Sequence, residues 1–357
     1  MGRERSLTRE ELTVALAARQ MLLARERITP AEAVRRLTPL QAQHAPAPYL
    51  ALAARVEGFD RDALEAAFAQ REIVKATVMR NTLHAVAADE YDAYAQLARQ
   101  ARLRTWRRQY AHLDEERVLA ELTAWLREPR TNGDIRERVG AFEGVGDDPW
   151  SPIMFARTLL PLVQLPPAGA WTDRGRASFV VHPHPLPDPD AAAAHVVRRY
   201  LAAFGPASRR DIAAWAGVAQ RDLAGAWARV QTVAYRDEQG TELLDLPGAP
   251  LPPVGTPLPV RLLAHWDQPL LAYAARARIM APEVEALRLT ISGDPTVTVD
   301  GRVVASWAWE RAGDVVRVAV TPHVALRRGA RGEIRAEARR TAQICEPDAR
   351  RVEVAFA

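Results

Sequence analysis

His195-Val196-Val197-Arg198-Arg199-Tyr200-Leu201-Ala202-Ala203-Phe204 runs into Gly205-Pro206-Ala207-Ser208 and then Asp211-Ile212-Ala213-Ala214-Trp215-Ala216-Gly217. The first run has the apolar spacing of a helix, and Gly-Pro resets the chain direction. Ile212 and Trp215 fall on one face of a second helix, Gly217 supplies a turn, and Leu223 and Trp227 continue in a further helix. Val230–Tyr235 and Leu243–Leu246 are β-rich and flank Glu238-Gln239-Gly240, the composition of a hairpin turn. Helix, glycine turn, helix and ribbon make up a helix-turn-helix with a wing.

The same outline recurs twice upstream. Thr8 and Glu11 form a capping-box pattern ahead of Leu12, Leu16 and Leu23, and Thr29-Pro30 opens a helix to about Leu37. Asp60 begins another, with Leu64 and Phe68 paired at i, i+4, and Ile73–Val86 reads as two strands joined near Arg80-Asn81. In the second copy, residues 115–128 are helical through Val118, Leu122 and Trp125, and Thr131–Ile135 starts a short helix. Residues 158–164 and Ser178–Val181 read as its strands. The expectation is an α+β chain: winged helix 1 at residues 1–95, winged helix 2 at 96–188 and winged helix 3 at 189–252. After the proline-rich linker Pro247–Pro259 the period changes to two: Thr296–Val299, an Asp300-Gly301 turn, Val303–Trp307 and Val315–Ala319 predict a small C-terminal β-barrel or sandwich over 253–357, with a helical insertion near 327–342.

Composition narrows the chemistry. The chain has 357 residues, 48 Lys and Arg against 44 Asp and Glu, and a net charge of +4, which permits a polyanionic partner without requiring one. No apolar run is long enough to span a bilayer, and Met1–Arg5 leads into a charged amphipathic stretch, so neither a membrane segment nor a signal peptide is expected. The expected location is cytoplasmic. The single cysteine, Cys345, excludes an internal disulfide and any zinc site with two thiolates. Lys75 is the one lysine, so amine chemistry must use Lys75 or the N-terminus. P-loop, nucleophile-elbow, zincin and dinucleotide fingerprints are all missing, and no cofactor is expected. His182-Pro183-His184 sits among prolines and reads as linker rather than metal pair.

The segment Thr38-Pro39-Leu40-Gln41-Ala42-Gln43-His44-Ala45-Pro46-Ala47-Pro48-Tyr49 stands apart. One reading is structural: Thr38 and Gln41 fit a capping box with Pro39 at the first helical position. The other is chemical. Pro46 and Pro48 disfavour helix just before them, and on an extended segment Gln41 and Gln43 share a face. Two amides aimed at one point offer donors and acceptors to a water and a sugar.

Gln41-Ala42-Gln43 resembles the Gln-x-Gln motif of the AlkZ/YcaQ family of winged-helix DNA glycosylases. Met79-Arg80-Asn81-Thr82-Leu83-His84 is similar to that family's Arg-Gly-Thr-Leu-His strand, with Asn81 in place of glycine. The resemblance continues through Gly205-Pro206-Ala207, Asp211–Trp215, and the stretch from Trp266-Asp267 to Tyr273 and Arg276. It therefore covers nearly the whole chain in order, and Gln43 rather than aspartate points to the AlkZ-like branch. What the resemblance implies is a C-shaped clamp of three winged helices and a β-barrel that removes bulky N-alkylated purines, often as self-resistance to genotoxic natural products.

N7-alkylation gives guanine a positive charge and makes it a good leaving group, so the enzyme has only to place a water at the anomeric carbon and tolerate an oxocarbenium-like sugar. Gln41 and Gln43 are the expected catalytic pair. With one lysine in a wing strand, a monofunctional enzyme without lyase activity is expected. Arg80, Asn81 and His84 in the first wing, and Arg104, Arg107 and Arg108 beside Arg102 and Trp106, are the expected contacts to double-stranded DNA, with a satisfied core histidine as the alternative for His84. Nearby Asp114-Glu115-Glu116 leaves a solvated helix face as the alternative for that run, and Arg327–Arg340 is a further basic cluster. A self-contained clamp suggests a monomer. The rivals are a winged-helix transcription regulator and a non-catalytic DNA-damage binder.

Overall fold

A computed structural model describes residues 5–146, 148–172, 175 and 177–357. Residues 1–4, part of the N-terminal stretch examined for a signal peptide, lie outside the described residues. No described helix is long and apolar enough to cross a membrane.

Local signals place most helices where the sequence puts them. Thr8 caps the helix Arg9–Arg19 in a complete capping box with Glu11, and Thr29 caps Pro30–Leu37 with proline at its start. Asp60 caps Arg61–Ala69, which buries Leu64 and Phe68. The helix Pro189–Phe204 begins six residues before His195 because the Asp188 carboxylate accepts from the Ala191 N–H. Ser208 and Asp211 cap each other at the head of Arg209–Ala216, and Gly217 ends that helix in the left-handed region.

Three expectations change. Residues 158–164 are not one strand: the helix Ser151–Leu159 runs into them, opened by Asp148, which accepts from the Trp150 and Ser151 N–H groups. Pro161 bars its continuation, and only Leu162–Gln164 is extended. The segment around Leu223 is a 3₁₀ turn, Gln220–Ala226, with Gly225 weakening any α-helix there. The C-terminal sheet is open rather than a closed barrel. Its order is Arg261–Leu263, Thr296–Val299, Arg302–Ala312, Val315–Pro322, Arg351–Phe356, and the two outer strands do not pair. The last strand runs parallel to its neighbour, so the chain must cross over, and it does so through the helix Ala330–Cys345. Ile334, Ala338, Ala342 and Cys345 of that helix share a core with Val297, Trp307, Val316, Val318 and Val320, so a helix covers the apolar face that closure would have enclosed.

Among the described residues there are two other sheets. Ser6–Leu7 adds in parallel to the ribbon Val233–Asp237 and Glu242–Asp245. A six-stranded sheet has the order Leu40–Gln41, Leu83–Ala87, Ile73–Thr77, Leu162–Gln164, Ser178–Val181, Arg130–Thr131. It joins strands from either side of the 95/96 boundary, and that boundary falls within the single helix Tyr91–Gln109.

Two buried ion pairs tie distant segments together. Arg55 pairs bidentately with Asp267, both side chains fully buried, and also donates to the carbonyls of Gln20 and Ala51. Arg19 pairs with Asp245 just beneath Gly205, where an added Cβ would lie 2.5 Å from the Asp245 carboxylate. The Gly-Pro-Ala segment thus needs glycine for space.

Candidate functional site

Leu40, Gln41 and Ala42 are all buried. Leu40 and Gln41 form the edge strand of the six-stranded sheet, with Gln41 directly opposite His84, and the Ala42 N–H donates to the Leu83 carbonyl at 2.9 Å. The capping-box alternative fails here. Thr38 closes the preceding helix with φ +70, and the chain leaves it extended. A new helix, Ala47–Ala53, follows Pro46. Gln41 and Gln43 therefore bracket the end of a short strand, the first buried and the second exposed.

The Gln41 amide is held. Its Nε2 donates to Thr82 Oγ1 at 2.9 Å, and that hydroxyl donates to the Met79 carbonyl at 3.2 Å. Gln41 Oε1 has no hydrogen-bond partner among the described residues. Opposite it, His84 is fully buried, with Nδ1 2.9 Å from the Thr82 carbonyl. A carbonyl only accepts, so Nδ1 carries the proton and Nε2 is a lone pair, also without a partner among the described residues. Burial pushes the imidazole pKa down to about 3, helped by the Arg80 charge, so His84 is neutral at ordinary pH. Cross-strand neighbours share a face of a sheet. Two unsatisfied acceptors, from Gln41 and His84, thus project from one pair.

The turn between the strands Ile73–Thr77 and Leu83–Ala87 explains Arg80 and Asn81. Both have left-handed backbone, φ +48 and φ +62. Asparagine tolerates that region better than most residues, so Asn81 adopts the conformation expected of the family's glycine. The Arg80 guanidinium donates to the Trp215 carbonyl, and desolvation lowers its pKa to about 10, leaving it charged. Gly217 packs against it so closely that an added Cβ would lie 2.8 Å from the Arg80 N. Asn81 Oδ1 accepts from Arg102 at 3.0 Å.

The basic run on the helix Tyr91–Gln109 divides. Arg102 is half-buried and also donates to the Arg157 carbonyl, so it braces the turn at Arg80-Asn81. Trp106 is a correction: it is buried against Tyr110 and Phe155 rather than interleaved with arginines at the surface. Its place on the helix puts it on the core face, between exposed Thr105 and Arg107. Arg104 pairs with Asp222 at 2.8 Å and Arg107 with Glu115 at 2.7 Å, both with exposed guanidinium groups. Arg108 is exposed. In the C-terminal cluster, Arg327 is taken up by Asp300 and Glu333.

Sequence reasoning missed three residues near the motif. His44 stacks on His265 with ring centroids 3.9 Å apart, and His265 meets Trp309 edge-on. Burial lowers both imidazoles, His265 to about 4, so the stack is of neutral rings. Gln268 donates to the Pro39 carbonyl and accepts from Trp215 Nε1 at 3.4 Å, tying the motif segment to the third helix-turn region. His44 lies inside the quoted motif, and His265 and Gln268 flank Trp266-Asp267, but nothing in one sequence pairs them.

The profile of a family described as DNA glycosylase AlkZ-like matches residues 34–344, the motif strand and its supports included. This chain belongs to the AlkZ-like DNA glycosylase family. Among AlkZ-like proteins it is similar to an interstrand DNA cross-link repair glycosylase of Streptomyces sahachiroi, at 25% identity over 333 residues, covering 81% of this chain and 84% of that protein. The fold is similar to that of the solved S. sahachiroi DNA glycosylase AlkZ, with a TM-score of 0.81 over 99% of this chain and all of the other, at 22% identity. The AlkZ-like activity, glycosylase action on DNA in repair, thus falls on a scaffold carrying Gln41 at the edge of its six-stranded sheet and Gln43 two residues beyond.

Proposed function

We propose that the chain is a monofunctional glycosylase that hydrolyses the N-glycosidic bond of N-alkylated purines, with bulky N7-alkylguanine adducts or crosslinks as its substrates, in alkylation repair or self-resistance. The observation that carries this reading is the held amide of Gln41: Nε2 engaged by Thr82, Oε1 without a partner among the described residues, and exposed Gln43 two residues on. An oriented carbonyl oxygen accepts one O–H of a water and so aims its lone pair, while a neutral amide leaves the proton to be lost after the bond has largely broken. A cationic base needs no general acid. His84, expected as a DNA contact, is fully buried opposite Gln41, so it backs the Gln41 strand as a neutral ring and lies out of reach of the phosphates. Arg80, Asn81, Arg104, Arg107 and Arg108 are proposed to hold the phosphates, with the three winged-helix units and the C-terminal sheet forming a clamp on a monomer. Arg104 and Arg107 would exchange carboxylate partners for phosphates, which makes binding steeply salt-dependent.

The test is single-turnover excision from duplexes carrying N7-methylguanine or a bulky N7-guanine adduct. Gln41→Ala and Gln43→Ala are expected to slow release by more than about tenfold, one hydrogen bond's worth, with DNA affinity nearly unchanged. Unchanged rates in both variants would overturn the assignment. Lys75 is buried on Ile73–Thr77, beyond the strand that pairs with Gln41. Borohydride is therefore expected to trap no covalent protein–DNA adduct, and a trapped adduct would refute the monofunctional reading.

A further inference from the structure

Away from the motif, the fold brings Asp92 to the two histidines set aside as linker. Asp92 sits in the first turn of the helix Tyr91–Gln109, and His182-Pro183-His184 leaves the strand Ser178–Val181. His182 Nε2 lies 3.1 Å from Asp92 Oδ1, and His184 Nδ1 lies 3.8 Å from Asp92 Oδ2. One ligand atom from each residue fits within a sphere of contact in which all pairs are under 4.8 Å apart.

We propose that Asp92, His182 and His184 bind one divalent transition-metal ion of the zinc class. A tetrahedral ion with bonds near 2.0–2.1 Å puts neighbouring ligand atoms about 3.3–3.4 Å apart. The His182–Asp92 separation is close to this value, yet both atoms are buried and neither makes a hydrogen bond among the described residues. An imidazole nitrogen and a carboxylate oxygen held at this separation are a pair that a cation can bridge.

The site is also built. The His182 side chain is only 9% exposed; its backbone N–H donates to the Pro161 carbonyl at 2.8 Å, and its ring stands edge-on to Tyr91. His184, with a side chain 69% exposed, has room to turn its ring toward the ion. All three residues line a cavity of about 900 Å³, which leaves room for a water as fourth ligand. Arg71, Asp89 and Arg127 line the same cavity. Two imidazoles and one carboxylate form a borderline donor set that favours zinc over magnesium or calcium. A bound ion would clip the segment 182–188 to the helix Tyr91–Gln109 just before the chain enters Pro189–Phe204, giving stability rather than chemistry at Gln41.

Tag-free full-length protein titrated with Zn²⁺ by calorimetry at neutral pH is expected to bind one ion per chain and to melt at a higher temperature when loaded. Co²⁺ substitution is expected to give the visible bands of a four- or five-coordinate site. His184→Ala, at an exposed position, is expected to weaken Zn²⁺ binding by more than about tenfold and to abolish the melting shift. Asp92→Asn provides the second variant, with its metal-free melting temperature recorded to separate lost binding from lost folding. Absence of saturable binding near one equivalent, or wild-type affinity in a folded His184→Ala protein, overturns the proposal.

Discussion

Gln41 and His84 face each other across two strands, and each carries a buried acceptor that the surrounding protein leaves open. For His84 the consequence extends to stability. Its folded pKa, about 3, lies well below the ordinary value of 6.5, so between these limits the unfolded chain binds a proton that the folded chain refuses. The contribution is fully present above pH 6.5 and is lost as pH falls toward 3. Urea unfolding between pH 4 and 6 is therefore expected to show a slope steeper in the wild type than in His84→Gln by up to about 1.4 kcal/mol per pH unit, one proton's worth. Equal slopes would show that His84 protonates normally in the folded protein. His44, His265 and His195 share the direction of the shift, so both proteins should retain some acid sensitivity.

The turn at Arg80-Asn81 and the end of the helix Arg209–Ala216 act as one unit at the level of elements, because Gly217 leaves no space above the Arg80 backbone. Gly217→Ala combines left-handed strain at φ +71 with a collision against main chain, whereas Gly240→Ala, at φ +81 with open space around it, meets strain alone. Gly240→Ala is expected to lower stability by about 1 kcal/mol and leave excision unchanged. Gly217→Ala is expected to lower stability further and to reduce excision as the turn bearing Arg80 and Asn81 shifts. Equal excision in the two variants would disconnect the turn from the site. Capping residues and prolines made the helices readable at this scale, since each acts within one turn. The strand length near residue 160 and the 3₁₀ turn near Leu223 were decided by a carboxylate cap, a proline and a glycine working against the apolar pattern.

Across the whole molecule, Arg55 and Asp267 connect the helix after the motif to the head of the C-terminal segment, 212 residues away and fully out of solvent. Asp267→Ala leaves Arg55 charged and unpaired and is expected to destabilise the fold by about 3–5 kcal/mol, measured by denaturant unfolding. Replacing both residues by apolar side chains of similar volume should recover most of that loss, because the desolvation cost disappears with the charges. Failure of the double replacement to recover stability would assign the loss to packing rather than charge. Trp215, Gln268 and Pro39 form a parallel connection, so residues that stand out in the sequence as separate short motifs converge on the segment carrying Gln41.

The chain alone determined most of the capped helix starts, the two strands flanking Arg80-Asn81, the period-two C-terminal sheet and the Gln-Ala-Gln segment, because caps, alternation and proline restrictions are local. It also exposed the scarcity of lysine and cysteine, which bounds the chemistry. Only the tertiary structure decided that Trp106 faces the core, that a crossover helix keeps the C-terminal sheet open, that Gln41 is oriented by Thr82 opposite a neutral His84, and that Asp92 meets His182 and His184. Each depends on long-range packing, which sets burial and pairs residues far apart in sequence, and burial in turn fixes which polar atoms are charged, satisfied or left open.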